Sequence, residues 1–226
     1  MTRVMMCKKP GLKLIAFDLD GTLVRETSSW GKIHEHFGTV ESEEKSLQEY
    51  TDGRISYEEF MRRDIDSWPK PLHIDDISRI LMDYELEEGV EETIKKIKRM
   101  GLKTALISAG IDLLAEEIAR ILDIDHFIAN GLETGKDGFL TGEGIMRVDP
   151  LKKHEALEKL IHDLGIRLED VVAVGDTKYD KSFLEKAGVG VAVGFDEELS
   201  EVADFHIESM KELPSILEKL LSKSDS

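Results

Sequence analysis

Short apolar runs that alternate with amphipathic helical segments constrain the fold of this 226-residue chain more than any other feature. Most of these runs end in a polar residue or a glycine, and the leucines and isoleucines between them follow helical spacing. Strands that alternate with helices imply parallel pairing through right-handed crossovers. The predicted strands are 14–18, 104–108, 127–130, 171–175, 189–193 and 205–207. We therefore expect an α/β fold built on a parallel sheet.

One long insertion interrupts this alternation directly after the first predicted strand. Residues 26–86 lack a convincing strand, whereas a strand-to-helix connection usually takes about 2–6 residues. They contain helical apolar spacing, a capping-box sequence at 56–59, both tryptophans and three of the four tyrosines. We interpret them as a helical cap inserted into a discontinuous core domain of residues 11–25 and 87–221. The aromatic residues either form only the core of this cap or also cover a site beneath it.

A second deviation from the alternation is a predicted β-hairpin flap at residues 133–148. The Asp-Gly pair at 137–138 is typical of a tight hairpin turn, and apolar positions flank it on both sides. We expect this hairpin to decorate the sheet. The two ends of the chain, residues 1–10 and 222–226, are predicted to be flexible tails.

Composition excludes several classes of partner. The chain carries 30 basic and 47 acidic side chains, a formal charge of −17, which repels nucleic acids and anionic membranes. The lone Cys7 forms no internal disulfide, and no apolar run approaches the roughly 20 residues that span a bilayer. Residues 1–10 lack the apolar stretch of a signal peptide. We expect a cytoplasmic protein that binds neither nucleic acid nor membrane.

Two carboxylates, Asp18 and Asp20, follow the first predicted strand, together with a glycine and a threonine. The carboxyl edge of the sheet is where open α/β folds bind their ligands. Carboxylates at this spacing favour a divalent cation, and different surroundings would separate their pKa values into nucleophile and acid/base roles. A solvated surface turn is the alternative interpretation of the pair taken alone.

Three further strand or helix ends carry polar residues. Ser108 ends a predicted strand just before a predicted helix. Its hydroxyl and the backbone amides at the helix start could bind phosphate, and the alternative is that Ser108 simply caps the helix. Lys153 opens another helix, and the apolar positions of that helix extrapolate back to it, so its ammonium is predicted to face the sheet and neutralise an anion. Asp176 and Asp180 follow the next predicted strand, and their spacing places both within reach of one cation. The alternative is that the two carboxylates only complement the positive end of a helix.

The order of these residues along the chain resembles the four signature motifs of the haloacid dehalogenase superfamily. The matching segments are 18–22, Ser108, Lys153 and 175–180. The resemblance spans residues 14–207 and implies a Rossmann-like core with helices on both faces of the sheet, Mg²⁺ and an aspartyl-phosphate intermediate. The insert, the helix start at 153–157 and the run at 168–176 are most similar to the phosphoserine phosphatase branch.

The resemblance also implies a role for each motif residue. Asp18 would be the nucleophile and a metal ligand. Asp20 would be the general acid and base, with its backbone carbonyl on the metal. Asp176 would complete the protein ligands of the metal, and Asp180 would be a further ligand or a neighbour that supports them. The implied phosphate-binding residues are Ser108, Ala109 and Lys153.

The substrate contacts of that branch are matched less closely. Its glutamate for the substrate's amino group corresponds to Glu26 only after a shift of one residue. An ungapped match places Asp64 where the branch has an arginine that clamps the substrate carboxylate, so Arg62 or Arg63 would have to replace that arginine. Tyr179 stands where the branch usually has an asparagine. The candidate substrate contacts are therefore Glu26, Arg62 and Arg63.

The function expected from the sequence is Mg²⁺-dependent hydrolysis of a small-molecule phosphate monoester, with phosphoserine, in L-serine biosynthesis, as one candidate substrate. The acid at the second position of the first motif favours phosphate esters over halides, because a halide leaving group needs no proton. The alternatives are a phosphatase or phosphomutase of the same superfamily that acts on a sugar phosphate, or a non-catalytic binding protein with this fold. A monomer or a homodimer is expected.

Overall fold

A seven-stranded sheet forms the centre of the computed structural model, which describes residues 11–222. In chain order the strands are β1 (Leu14–Phe17), β2 (Lys103–Ile111), β3 (His126–Thr134), β4 (Leu140–Ile145), β5 (Val171–Gly175), β6 (Val189–Val193) and β7 (Phe205–Ile207). Their order across the sheet is β4-β3-β2-β1-β5-β6-β7, and each adjacent pair is parallel except β3 and β4. The prediction of an α/β fold with a mostly parallel sheet is confirmed.

Ten α-helices within residues 11–222 surround this sheet. They are α1 (Ser29–Phe37), α2 (Val40–Thr51), α3 (Tyr57–Ser67), α4 (Ile74–Leu81), α5 (Val90–Arg99), α6 (Asp112–Leu122), α7 (Lys153–Leu164), α8 (Lys181–Lys186), α9 (Glu197–Ser200) and α10 (Leu213–Ser222). Of the predicted tails, residues 1–10 and 223–226 lie outside the described part of the chain, whereas Ser222 ends α10. None of the described helices combines the length and apolarity needed to cross a bilayer.

The central strand β1 shows how helices come to cover both faces of the sheet. All four of its residues are fully buried, as expected for a parallel strand with neighbours on either side. Ile15 and Phe17 pack in one apolar cluster with side chains of α5, α6 and α10. Leu14 and Ala16 point the other way and pack with α7, α8 and α9. The alternation along one strand thus requires a helical layer on each face.

Helices α1 to α4 lie in the insert predicted as a cap. The chain enters and leaves this insert at one place, where Arg25 N donates to Glu85 O (2.9 Å) and Glu87 N donates to Leu23 O (3.0 Å). These hydrogen bonds tie the two connections together next to the sheet. We propose residues 26–86 as the extent of the cap on that basis.

A cluster of aromatic rings forms the interior of the cap. Ring pairs lie 5.1 to 6.2 Å apart between centroids. The rings belong to Trp30, Tyr50, Tyr57, Phe60 and Trp68. All five side chains are buried, and their cluster is continuous with the apolar layer that contains α5, α6 and α10. The cap therefore shares its core with one face of the sheet.

The predicted hairpin is present, and it supports the cap in addition to extending the sheet. Strand β4 pairs antiparallel with the second half of β3. The turn contains Gly138 at φ +82°, a conformation that favours glycine. Leu140 N donates to Leu72 O (2.9 Å) and Ile74 N donates to Gly138 O (3.0 Å), so the start of the second hairpin strand pairs with the segment between α3 and α4.

We expect Thr93→Val to lower the free energy of unfolding by about 1 kcal/mol. Thr93 Oγ1 donates to Met210 O across 2.9 Å in a buried contact between α5 and the segment that leads into α10. Valine keeps the shape of threonine but removes this donor. Urea denaturation would measure the change. Thr51→Val is the matched control, because Thr51 is exposed and its hydroxyl bonds only within its own helix. Equal stability of the two variants would contradict the prediction.

Candidate active site

The carboxyl ends of β1 and β5 meet where the chain changes direction across the sheet. From β1 the chain proceeds to one side through β2 and β3, and from β5 it proceeds to the other side through β6 and β7. Such a switch point leaves a crevice in which α/β proteins bind ligands. Asp18 follows β1 and Asp176 follows β5, and Asp18 N donates to Val174 O at 2.9 Å. The fold therefore places the two aspartates side by side at this crevice.

A buried ammonium lies among the carboxylates at the crevice. Lys153 is only 2% exposed, as the apolar spacing of its helix predicts, whereas Lys152 is exposed. Lys153 Nζ lies 2.8 Å from Asp18 Oδ1 and also contacts Asp180 Oδ1. Carboxylate oxygens of Asp18, Asp176 and Asp180 all lie within 4.8 Å of one another. The ammonium thus pairs with two of these three neighbouring carboxylates.

Burial and mutual repulsion disfavour the ionised form of these carboxyl groups. Burial, followed by the charge of Asp180, raises the pKa of Asp18 well above its usual value, against the opposing charge of Lys153. The same two causes raise the pKa of Asp176 to about 7. Burial by itself would lower the pKa of Lys153, but the charges of Asp18 and Asp180 raise it, so the ammonium stays protonated. A further cation among these carboxyl groups would favour their ionised forms and lower their pKa values.

The donor atoms of the cluster fit a divalent metal ion. Mg²⁺ takes oxygen ligands and is usually held by one or two carboxylates together with phosphate and water oxygens. Asp176 uses only Oδ1 internally, to accept from Thr22 Oγ1 at 2.8 Å. Both oxygens of Asp180 are engaged, Oδ1 with Lys153 and Oδ2 with the amides of Asp176 (3.1 Å) and Thr177 (3.2 Å). Asp18 and Asp176 are thus the better placed ligands, and Asp180 holds the loop around them.

Gly21 allows the first motif to approach Asp176 this closely. Its φ is +78°, and a Cβ at this position would lie 2.1 Å from Asp176 Oδ2. Any other residue would therefore displace the Asp176 carboxylate. The glycine and Thr22 together orient this carboxylate toward the crevice.

Asp20 has surroundings that differ from those of Asp18. Its Oδ2 accepts from Ser29 N (3.1 Å) and Ser29 Oγ (3.0 Å), whereas its buried Oδ1 has no hydrogen-bond partner within residues 11–222. Burial raises the pKa of Asp20 to about 6, against the lowering effect of both Ser29 hydrogen bonds. Ser29 Oγ in turn accepts from Ile111 N at 3.0 Å. Asp20 is therefore held by one oxygen and presents the other.

Ser29 was not singled out from the sequence. It opens α1, directly after the first motif, and Ser28 caps that helix by accepting from Gly31 N. The signal that would have indicated this contact is the pair of serines at the start of the first helix after β1.

Ser108 lies at a bend within β2 and does not cap a helix. The strand continues through a register shift to Ile111, and α6 begins at Asp112. Ser108 is 2% exposed, and its Oγ accepts from Gly110 N at 2.9 Å. The phosphate-binding corner predicted at a helix start is instead a turn inside a strand, because the bulge lifts residues 108–110 out of the regular ladder.

The carbonyl oxygen of Ala109 receives three hydrogen bonds at this bend. Trp30 Nε1 (3.1 Å) and Tyr57 Oη (3.0 Å) donate from the cap, and Asn130 Nδ2 (2.9 Å) donates from β3. The amide of the same peptide group, Gly110 N, donates a hydrogen bond to Ser108 Oγ. Cap and sheet together therefore fix the plane of the peptide next to Ser108.

A cavity of about 270 Å³ opens above these groups. Its floor contains Asp18, Asp20, Ser108 and Lys153, and side chains of the cap form much of its wall. The cap residues that line it are Thr27, Ser28, Trp30, Glu43, Leu47, Tyr57 and Phe60. The aromatic cluster of the cap thus covers the site as well as forming the cap's core.

Two predicted substrate contacts, Arg62 and Arg63, lie outside the cavity. Arg62 Nη2 pairs with Glu59 Oε1 at 2.9 Å, and Arg63 Nη1 pairs with Glu49 Oε2 at 2.6 Å. Helix α3 turns its residues 57, 60, 61, 64 and 65 inward, so positions 62 and 63 fall on its outer face. The structure therefore does not bring either guanidinium to the crevice.

Glu26, the third predicted substrate contact, is also outside the residues that line the cavity. Its Oε1 pairs with Lys32 Nζ at 2.8 Å. Asp64, at the position expected for an arginine, is fully buried, with Oδ2 at 3.3 Å from His34 Nε2 and Oδ1 bonded to Ser46 Oγ. Asp64 therefore joins α1, α2 and α3 and is not presented to a substrate.

Comparison with known proteins shows the family to which the chain belongs. A haloacid dehalogenase-like hydrolase family model matches residues 12–188. A phosphoserine phosphatase of Methanocaldococcus jannaschii is 38% identical over 208 residues, which cover 91% of this chain and 96% of that protein. A phosphoserine phosphatase of Archaeoglobus fulgidus is 32% identical over 208 residues, which cover 91% of this chain and 60% of that protein. A solved structure of a phospho-aspartyl intermediate analogue of phosphoserine phosphatase matches with a TM-score of 0.77 and 36% identity, over 91% of this chain and 98% of that one. The chain therefore belongs to the haloacid dehalogenase-like hydrolases.

Proposed function

We propose that this hydrolase cleaves small phosphate monoesters through an aspartyl-phosphate on Asp18. The observation that carries the proposal is the pair of carboxyl groups over one cavity: Asp18 is bound to Lys153, and Asp20 has one oxygen without a partner. Carboxyl groups with such different surroundings suit the separate tasks of nucleophile and acid. The phosphoserine phosphatases among its relatives support the same chemistry.

In the first step, a carboxylate oxygen of Asp18 attacks phosphorus while the bond from phosphorus to the ester oxygen breaks. The proton carried on Asp20 Oδ1 passes to the departing oxygen, which leaves as an alcohol. Ser29 supports this transfer, because its two donors occupy Oδ2 and leave Oδ1 to carry the proton. Lys153 offsets the charge of the phosphate dianion as it approaches Asp18.

In the second step, water attacks the phosphorus of the acyl phosphate and Asp18 is released as a carboxylate. Asp20, now ionised, accepts the proton of that water and returns to its starting state. Mg²⁺ held by Asp18, Asp176 and the backbone carbonyl of Asp20 would supply the positive charge that lets two anions meet. Asp180 supports Asp176 and Lys153 through the contacts of its two oxygens.

The bend at residues 108–110 is proposed to bind the non-bridging phosphate oxygens. Ser108 Oγ already accepts from Gly110 N, so its own hydrogen remains available for a phosphate oxygen. Ala109 contributes through its backbone, whose plane is held by Trp30, Tyr57 and Asn130. Cap residues thus act on phosphate binding through this peptide group.

Phosphoserine is the first substrate to test, because relatives named for it align with nearly the whole chain. Among the described residues that line the cavity, Lys153 is the only cation, and it is already paired with Asp18. A substrate carboxylate would therefore have no charged partner of its own there.

A cytoplasmic location and a monomeric or homodimeric state stay predictions from the sequence.

Replacing the two catalytic candidates should have different effects on different esters. Asp18→Asn removes the nucleophile and should abolish hydrolysis of both an ethyl and a nitrophenyl phosphate. Asp20→Asn should lower kcat/KM, which reports the first step, by about 10²- to 10⁴-fold for the ethyl ester and far less for the nitrophenyl ester, because nitrophenolate leaves without a proton. Steady-state kinetics would measure both. Asp163→Asn, on the exposed face of α7, is the control, and turnover by Asp18→Asn at the parent rate would refute the proposal.

Removal of divalent metal should stop hydrolysis, and Mg²⁺ should restore it. Asp176→Asn should raise the Mg²⁺ concentration for half-maximal rate by at least about tenfold, because one charged ligand is lost. The control Asp163→Asn should leave that concentration unchanged. Full activity after dialysis against EDTA would rule out the metal.

The three donors to Ala109 O should be partly redundant, because a carbonyl oxygen has two lone pairs. Tyr57→Phe or Trp30→Phe alone should weaken competitive inhibition by inorganic phosphate less than about threefold, since two donors remain. The double variant leaves Asn130 alone and should weaken it by more than the product of the single effects. Tyr84→Phe, in the same insert but outside the residues that line the cavity, is the control. Strict additivity would show that the cap does not act through this carbonyl.

A further inference from the structure

The cavity contains a half-buried carboxylate, Glu43, that the proposed mechanism does not use. Glu43 lies in the first turn of α2 and lines the cavity together with Asp20. A Cβ added to Gly31 would lie 3.4 Å from Glu43 Oε1, so this carboxylate lies against the first turn of α1, beside Ser28. The next residue, Ser29, binds Asp20. Glu43 therefore lies against the same helical turn that holds Asp20.

No side chain within residues 11–222 forms a hydrogen bond or an ion pair with the Glu43 carboxylate. Burial raises the pKa of Glu43, and the charge of His34 opposes that rise. The His34 ring is itself bound to Thr39 Oγ1 at 2.8 Å and lies 3.3 Å from Asp64 Oδ2. Stabilising the helix terminus does not require a carboxylate in the cavity, because the exposed Glu41 occupies the same turn. A charged group held there without a partner costs free energy that a bound cation would recover.

Three aromatic rings of the cap also form part of the cavity wall. Trp30, Tyr57 and Phe60 line it, with Tyr57 stacked on Phe60 at 5.1 Å and Trp30 edge-on to Phe60 at 6.2 Å. Aromatic rings attract organic cations through their electron-rich faces, and a nearby carboxylate adds to that attraction. This combination is suited to an alkylammonium group.

The same wall is unsuited to an anionic leaving group. Lys153 is paired with Asp18 and Asp180, and Arg62 and Arg63 are held in ion pairs outside the cavity. A carboxylate on the leaving group would therefore meet Glu43 without a compensating charge. Like charges at a partly buried site repel each other more strongly than in water.

We propose that the substrate is the phosphate ester of an amino alcohol, with an ammonium group held by Glu43 and the aromatic wall and with no carboxylate. The proposal rests on the phosphatase function above for its chemistry and adds the class of leaving group. It also makes Glu43 a specificity residue that the family resemblance did not indicate.

Four esters built on one skeleton test the proposal. They are ethyl phosphate, 2-aminoethyl phosphate, 2-carboxyethyl phosphate and phosphoserine, which together present neither charge, each charge alone and both charges. We expect kcat/KM for 2-aminoethyl phosphate to exceed that for ethyl phosphate by roughly tenfold, the effect of one partly buried charged contact. We expect 2-carboxyethyl phosphate to be poorer than ethyl phosphate, and phosphoserine to be poorer than 2-aminoethyl phosphate.

Glu43→Gln should remove these preferences. The ratio of kcat/KM for the aminoethyl and ethyl esters should fall toward one, and the ratio for the carboxyethyl and ethyl esters should rise. Because each ratio is internal to one variant, a general loss of activity or folding cancels from it. Glu44→Gln, exposed on the same helix, is the matched control and should retain the parent ratios.

Binding of the four esters to Asp18→Asn in the presence of Mg²⁺, measured by calorimetry, separates this proposal from the function on which it rests. Failure to hydrolyse any ester, with the binding preference for the aminoethyl ester retained, would overturn the phosphatase function alone. Hydrolysis with an aminoethyl preference that Glu43→Gln leaves intact would overturn the role of Glu43. A better rate with phosphoserine than with 2-aminoethyl phosphate would overturn the exclusion of a carboxylate.

Discussion

The ion pairs of the buried Lys153 ammonium hold the candidate active site together. Through Asp18 and Asp180 they join the end of β1, the start of α7 and the loop after β5. A buried ammonium or carboxylate is costly without a partner, so each member of this cluster depends on the others. The cluster is thereby assembled before a ligand arrives, and little reorganisation is needed when a phosphate is bound. Its excess of carboxylates explains why a divalent cation fits the same place.

The cap forms hydrogen bonds with the candidate catalytic groups in addition to covering them. Ser29 binds Asp20, and Trp30 and Tyr57 bind the carbonyl of Ala109. The first turn of α1 therefore orients both Asp20, the proposed general acid, and the bend at residues 108–110, the proposed phosphate-binding segment. The hairpin holds the far end of the cap through hydrogen bonds between residues 138–140 and 72–74. A movement of the cap would consequently change the positions of the candidate catalytic groups as well as access to the cavity.

The sheet could be predicted because buried parallel strands are short apolar runs with polar ends, and such runs are visible locally. Strand β2 is the instructive exception, since it was expected to end at Ser108 but continues to Ile111. A bulge of this kind leaves no mark in hydropathy, because it depends on pairing with β3, where Ile111 lies opposite Asn130. The three predicted substrate contacts were chosen because they lie near the positions at which the phosphoserine phosphatase branch has its own contacts. In the cap, that proximity along the sequence did not locate the side chains that line the cavity.

The sequence by itself determined which strand or helix carries each candidate residue. Asp18 and Asp20 follow one strand, Lys153 begins a helix and Asp176 follows another strand. These groups are adjacent in the chain to buried strands and helices, so local pattern specifies where each is delivered. Only the tertiary structure decided which cap residues meet them, as with Ser29 at Asp20 and Glu43 at the cavity wall. The physical reason is that apolar periodicity specifies which face of a helix is buried, whereas the packing of several helices decides what that face touches.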